Sequence, residues 1–572
     1  MLLERLVSYV KDKWKYFFMF CLPFVAAFFL TFNDAPDRAV KCMVCTCLFG
    51  VLFSIVGVTW KDCLLPIVCG VLFYLGTAGT FFLYSMSIGA AWCEVHYELI
   101  FAESLACMLL FADKLAGKFR ILVSVVEWFI LLLSCAYIAY FAIFSSTVDS
   151  DTFFILLQTN WGEATRFVMH DMAAFVLAVG FSIVLLIAVV CFNRKNKQSG
   201  YFKKRQPVQC FAVVFLLFCI VWDYFVVFKG EHLYIHRDLS IAWGYMRQIS
   251  AMAGSKNALG DIAAANKVDN IVLVIGESAN RDYMGCYGYD RPNTPWMSSL
   301  QEHENENAVF FDHVYTSYRL TNKALAYFLT EKSQYNDKDL YSSLNIVDVM
   351  NAAGYDTYWI SIQGNASNYR EVYNVIAQRS KNTKFLEGGL DEKLLPYLDI
   401  PVDDHKKFIV VHMVGSHHPY TSYPPEYNLY GEDTVSDRYD NTIAYTDYVL
   451  SQIYKKLSVH QPELFIYVSD HGESKDMMRN QFDFSMTHVP FVVLFSDEFI
   501  SSYPEVYYSA LEKRHIYFSH DMFYDTFLDI LGINKEFYDS RQSLFSDEYA
   551  YSKENIKSEY GAVDVKDDPY SQ

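Results

Sequence analysis

Past residue 228 the sequence is almost without cysteine: twelve of its thirteen cysteines lie between Cys21 and Cys219, and Cys286 alone follows. That half can close no disulfide within itself. A basic excess is missing as well. The 572 residues carry 47 Lys and Arg against 65 Asp and Glu, a formal net charge of −18. Residues 1–228 hold 17 against 15, net +2, which leaves 30 against 50, net −20, for residues 229–572. An acidic surface of that kind repels a phosphate backbone, so a uniformly basic nucleic-acid binder is excluded and no nucleic-acid partner is expected. Internal repeats and low-complexity tracts are also lacking. What is abundant is apolar and aromatic, 53% and 17% of residues, which excludes disorder, collagen and a small disulfide scaffold. The length is three to four times the ~150 residues of one domain, so more than one unit is expected.

The first half holds runs long enough to cross a hydrocarbon core of about 30 Å as helices. They span residues 16–33, 42–59, 63–86, 120–145, 172–192 and 208–228, with a weaker run at 96–112 that contains Glu98 and Glu103. Cys42, Cys45 and Cys47 cluster inside an apolar run, where small buried thiols are common, so a metal site there is not favoured. Basic residues precede the first run (Arg5, Lys11, Lys13, Lys15) and fill the loop from Arg194 to Arg205, which places both on the cytoplasmic side. An even number of spans must then precede residue 193, so the run at 96–112 is counted and seven spans are expected, with everything after Phe228 outside the cytoplasm. Glu127 and Asp223 fall inside expected spans, where an ionisable group either serves function or snorkels towards water.

Beyond a polar stretch at 229–268, short apolar runs read as buried strands: Asn270 to Glu277, Lys407 to Val414, Leu464 to Asp470 and Val489 to Phe495. Helix-like segments, 343–353 and 437–457, alternate with them. This predicts an α/β domain with a mostly parallel central sheet. Ligands of such sheets gather beyond the carboxyl ends of the strands. The first of these strands delivers Glu277, His412, His417 and His418 lie at and after the end of the second, and the third delivers Asp470 with His471. Carboxylates and histidines at one end of three separate strands suit a metal ion, and the mixed oxygen and nitrogen donors favour zinc.

The ordered motifs Gly276-Glu-Ser-Ala-Asn-Arg-Asp282, Tyr287-Gly-Tyr-Asp-Arg-Pro-Asn-Thr-Pro295 and Ser469-Asp-His-Gly-Glu-Ser474 resemble those of the phosphoethanolamine transferases of Gram-negative inner membranes, in the alkaline phosphatase and sulfatase superfamily. The likeness covers about 265–550, and Tyr439 to Asp447 and Ser519-His-Asp521 fit it. The acidic, Tyr- and Ser-rich end (551–572) is expected from its composition to be a loose tail, while the likeness, together with the apolar runs upstream, implies an α-helical transmembrane domain (1–228), a linker or bridging-helix region (229–268) and a periplasmic sulfatase-like catalytic domain (269–550). It further implies a zinc ion held by Glu277, Asp470, His471 and a threonine nucleophile, matched to Thr321 with Thr316 as fallback. His417 and His488 match the family's phosphate-binding and proton-moving histidines. Asp149 to Glu163 resembles the helix of the lipid A enzymes that meets the ethanolamine headgroup, with Glu163 as the contact for the ammonium and Thr159 beside it.

The implied reaction moves phosphoethanolamine from phosphatidylethanolamine to an acceptor through a covalent phosphothreonine, releasing diacylglycerol. A free threonine hydroxyl is too weak an acid to react unaided, and zinc would activate it. Three departures from the lipid A branch, the absent disulfides, Ser367 or its neighbours where that branch has a lysine, and Ile155 where it has an asparagine, turn the expected acceptor towards a lipopolysaccharide-core sugar or another envelope glycan. The seven expected spans also exceed that branch's five. A sulfatase is disfavoured because Cys or Ser followed by x-Pro-x-Arg is missing after the first strand. A phosphoglycerol transferase of the same superfamily and a catalytically inactive membrane scaffold remain as alternatives.

Overall fold

A computed structural model describes residues 2–31, 36–56, 60–87, 95–115, 120–158, 172–195, 213–214, 217–224, 233–254, 259, 262, 266, 268–302, 307–363, 371–475 and 482–570. The chain divides into two compact units, Met1–Tyr245 and Met246–Gln572.

The first unit is helical: α1 (Leu2–Thr31), α2 (Pro36–Val56), α3 (Trp60–Tyr74), which runs through a π-turn into α4 (Thr80–Ser87), α5 (His96–Leu115), α6 (Arg120–Phe144), α7 (Ser150–Gln158) and α8 (Met172–Lys195). Among the described residues, four helical stretches are long and apolar enough to cross a membrane: Lys13–Thr31, Cys63–Met86, Ile121–Ile143 and Val176–Asn193. They coincide with four of the seven expected spans. The runs at 42–59 and 96–112 fall on α2 and α5, which are helical without being among those four, and most of 208–228 lies outside the described residues. Phe20, Phe24, Phe28 and Phe53 form the core of this unit, and α3 packs closely on α5. A Cβ at Gly70 would stand 2.6 Å from the Ala102 carbonyl. Its buried acids are bridged rather than bare: Glu103 to Thr46, Glu127 to Asn193 at 2.5 Å and Asp223 to Ser104 at 2.9 Å.

Helix α9 (Tyr234–Gly254) lies in the stretch expected as a bridging region. The second unit is built on a seven-stranded sheet, from β1 (Asn270–Gly276), β2 (Ala308–Phe310), β4 (Asp356–Ser361), β5 (Asn382–Phe385), β6 (Lys407–His412), β7 (Leu464–Ser469) and β8 (Phe491–Phe495), in the order β2-β8-β7-β1-β6-β4-β5. β3 (Val314–Tyr315) pairs instead with Phe518–Ser519. The run from β5 to β7 is parallel, whereas β8 is antiparallel to β7 and β2 to β8. Ile271 to Ile275 are wholly buried because β1 sits mid-sheet, which is why its sequence is continuously apolar rather than alternating. The short helices α10 (Pro295–Glu302), α11 (Thr321–Phe328), α12 (Ile346–Ala352) and α13 (Val372–Ala377) and the long α14 (Val435–Leu457) accompany the sheet. β1 pairs with β6 on one side and β7 on the other, so the switch point where ligands collect in such sheets falls at the carboxyl end of β1.

One expectation is corrected. Residues 549–570 are not a loose tail: they form a β-hairpin, Lys557–Ser558 with Val563–Asp564, and bury Ile556, Ser558, Val565 and Asp568. Apolar anchors spaced between the charged residues give the segment a surface to pack.

Candidate metal centre and active site

At the end of β1 the backbone turns sharply: Ser278 takes φ +59°, rare for a residue with a side chain. The turn leaves Glu277 pointing into a buried space, with Ser278 Oγ donating to Glu277 Oε1 at 2.6 Å. From the neighbouring strand β7 come Asp470 and His471. Asp470 Oδ1 accepts from the Ser278 and His471 backbone N–H groups at 3.0 and 2.7 Å, which aims Oδ2 away from the backbone. His471 Nδ1 lies 2.7 Å from the Gly472 carbonyl; donating there, it leaves Nε2 with a lone pair. That Nε2 is 3.4 Å from both Glu277 Oε1 and Asp470 Oδ2.

Thr321, the first residue of α11, completes the group: its hydroxyl donates to Glu277 Oε2 at 2.9 Å and lies 3.4 Å from His471 Nε2. One ligand atom from each of Glu277, Asp470 and His471 falls within 4.8 Å of the others. All three side chains are buried. Burial, then the adjacent Glu277 charge, push the Asp470 carboxyl up from its ordinary value. Asp470 Oδ2 has no hydrogen-bond partner. Two buried carboxylates, one with an unanswered oxygen, facing an imidazole lone pair form a donor set that a divalent cation satisfies.

Two supports were invisible in the sequence. Gln363, just past β4, places Nε2 3.2 Å from Glu277 Oε2 and 2.5 Å from the Met413 carbonyl. Asp391 accepts from the N–H groups of Val414 and Gly415 at 2.7 and 2.9 Å, and burial pushes its carboxyl up to about 6. The turn it holds has Gly415 at φ +50°, where a Cβ would stand 2.8 Å from the Glu277 carbonyl. Only glycine lets that backbone pass so close to the end of β1. The Gly after His412-Met-Val was the one available signal.

The other expected residues are placed as follows. Thr316 is buried, with its hydroxyl 2.8 Å from both the Asp470 carbonyl and His520 Nε2. His412 is buried against Tyr373, its Nδ1 3.1 Å from Ser361 Oγ. His417 is exposed, with Nδ1 2.6 Å from the His418 carbonyl. His488 is buried between two carboxylates, Nδ1 2.5 Å from Asp282 and Nε2 2.8 Å from Asp568, so both ring nitrogens are engaged away from Thr321. Thr159, Glu163 and Ser367 lie outside the described residues.

Residues 269–533 match the Sulfatase family. The chain is 24% identical over 502 residues to phosphoethanolamine transferase EptC of Escherichia coli K12, covering 77% of this chain and 85% of that one. It is 21% identical over 539 residues to phosphoethanolamine transferase EptA of Salmonella typhimurium, covering 82% and 96%. In fold it is similar to the integral membrane protein lipooligosaccharide phosphoethanolamine transferase A of Neisseria meningitidis, with a TM-score of 0.60 over 84% of this chain and 97% of that one at 18% identity. The resemblance read from the motifs is thereby borne out.

Proposed function

We propose that this chain is a zinc-dependent transferase of the inner membrane, multi-pass, with its catalytic unit in the periplasm, that moves phosphoethanolamine from phosphatidylethanolamine to lipopolysaccharide or another envelope glycan. The observation that carries the reading is the Thr321 hydroxyl held 2.9 Å from Glu277 within the buried Glu277, Asp470 and His471 group. Glu277, Asp470, His471 and Thr321 would hold the ion. When bound, it would make the threonine hydroxyl more acidic and polarise the phosphoryl oxygen.

The remaining steps belong to the chain's own groups. Thr321 Oγ1 gives its proton along the existing hydrogen bond to Glu277 Oε2 and bonds to phosphorus. The phosphorus–oxygen bond to diacylglycerol breaks, and that alcohol leaves with the proton that Glu277 took from Thr321. The amino terminus of α11, where Thr321 sits, favours the incoming phosphate charge. The acceptor hydroxyl then gives its proton to Glu277 and its oxygen bonds to phosphorus, while the bond from phosphorus to Thr321 Oγ1 breaks and Thr321 takes that proton back from Glu277. Glu163, with Thr159 beside it, is proposed to meet the ammonium of the headgroup, and His417 the phosphate. His488 is proposed to help bind the phosphate and move protons, for which one of its contacts to Asp282 and Asp568 must open. The acceptor is proposed to be a core sugar hydroxyl in preference to lipid A.

Thr321→Ala is expected to abolish diacylglycerol release from labelled phosphatidylethanolamine, a loss of about a thousandfold or more, as for a nucleophile, while the protein stays folded. Release at the parent rate would reassign the nucleophile. Mass spectrometry of envelope glycolipids from cells with and without the protein is expected to show the added phosphoethanolamine on core sugar; its appearance on lipid A would overturn the acceptor assignment.

A further inference from the structure

The carboxy-terminal segment lies beyond the Sulfatase match, which stops at residue 533, and beyond the last strand of the central sheet at Phe495. It nevertheless returns to the stretch that carries Thr321. Ser558 Oγ donates to the Thr316 carbonyl at 2.8 Å, the Tyr560 N–H to the Ser317 carbonyl at 3.1 Å, and the Tyr560 hydroxyl to the Lys323 carbonyl at 2.9 Å. Glu559 accepts from the Arg319 backbone N–H at 3.1 Å and pairs with its guanidinium. The Tyr560 ring stacks on Tyr327 with centroids 4.2 Å apart and lies 4.8 Å from Tyr318. Thr316, Ser317, Arg319 and Lys323 bracket Thr321 on both sides.

Glu559 and Tyr560 are themselves held at φ +51° and +54°, a left-handed pair without glycine. Such backbone persists where surrounding contacts over-determine it. We propose that residues 556–561 are a positioning strap: Ser558, Glu559 and Tyr560 fix the backbone from Thr316 to Lys323, Glu559 and Tyr560 holding it from Ser317 onward, and thereby the place of the Thr321 hydroxyl beside Glu277. The bonds of the strap given above run to the segment from Thr316 to Lys323, so it acts through the nucleophile segment. This role rests on Thr321 being the nucleophile, and the mechanical part of it can be read without any activity.

The test uses the full-length protein in detergent with fluorescent phosphatidylethanolamine as the probe. In Glu559→Gln combined with Tyr560→Ala, amide exchange over residues 316–324 is expected to rise about tenfold, with β1, β6 and β7 unchanged. Bound metal should stay at the parent level. The kcat for diacylglycerol release should fall roughly tenfold or more with KM within about twofold, because a displaced nucleophile costs rate and not donor binding. Tyr560→Phe keeps the ring stack and loses only the Lys323 bond, so it should restore most of kcat. If the double variant does not fold, Glu559→Gln alone is read by the same measures with the same expectations. Unchanged exchange over 316–324 in a folded variant, or a loss carried by KM, overturns the strap. An active Thr321→Ala with raised exchange in the strap variant would instead overturn the nucleophile and spare the mechanical contact.

Discussion

The imidazoles of His412 and His520 lie wholly inside the catalytic unit, and burial pushes both down to about 4. Unfolded, each takes a proton as pH falls through about 6.5, whereas the folded protein refuses it until about 4. Their contribution to stability is therefore present above pH 6.5 and lost as pH falls towards 4, at up to about 1.4 kcal/mol per pH unit for each group. His412→Gln in metal-free protein is expected to remove one proton's worth of that slope, read from unfolding midpoints between about pH 7 and pH 5; a slope unchanged from the parent would clear His412 of the role. At this scale the sequence was legible where a residue's place follows from the strand it ends: Glu277, Asp470 and His471 needed only their strands to be found. It was illegible where a partner arrives from afar. His488 is claimed by Asp568, 80 positions on, and no local pattern announces that pairing. Thr316 and Thr321 differ by five positions, and only the fold shows one hydroxyl turned to the Asp470 carbonyl and the other to Glu277. Gln363 carried no signal, since an amide after a strand is ordinary loop chemistry.

Helix α14 shows how an element is started. Thr434 Oγ1 accepts from the Asp437 N–H at 3.0 Å while Asp437 returns to the Thr434 N–H at 3.2 Å, a reciprocal cap over the first turn. Thr434→Ala is expected to lower stability by about 1 kcal/mol, measured by denaturant unfolding, and to leave diacylglycerol release at the parent rate, because the cap lies at the exposed end of the helix. The helix matters inward, where Tyr439 donates to the Ser278 carbonyl at 2.7 Å and steadies the turn after Glu277. The expected 437–457 found this helix two residues short, because the cap and not the apolar periodicity sets its start. β1, β6, β7 and β8 were legible as continuous apolar runs. β5 was not, since its residues Asn382 to Lys384 are exposed at the sheet edge and carry no apolar pattern. Nor was the hairpin near residue 560, whose apolar anchors Ile556 and Val565 stand too far apart among charged residues to read as a strand and whose Tyr560 stacks on Tyr327.

For the molecule as a whole, the division into an apolar first half and an acidic second half was plain from charge and cysteine alone, and the two compact units follow it closely, Met1–Tyr245 and Met246–Gln572. What composition could not supply is how the acidic unit tolerates Glu277 and Asp470 side by side without water. A bound cation offsets that repulsion, so metal should be worth stability as well as chemistry. A ligand at about a hundred times its dissociation constant stabilises by about 2.7 kcal/mol, which moves an unfolding midpoint by several degrees. Chelation is therefore expected to lower the midpoint of the catalytic unit, with zinc restoring it. The sign with pH follows from Asp470. Its folded pKa is raised above the unfolded value, so in metal-free protein the stability it confers is present at low pH and lost as pH rises through the folded value. The chelator should then cost more at about pH 8 than at about pH 6. Glu277→Gln removes one of the two charges and should shrink both the metal content and the chelator's effect. A midpoint indifferent to chelation at both pH values, in protein shown to have carried metal, would mean that these carboxylates tolerate each other without an ion, and the case for a metal-activated Thr321 would fall with it.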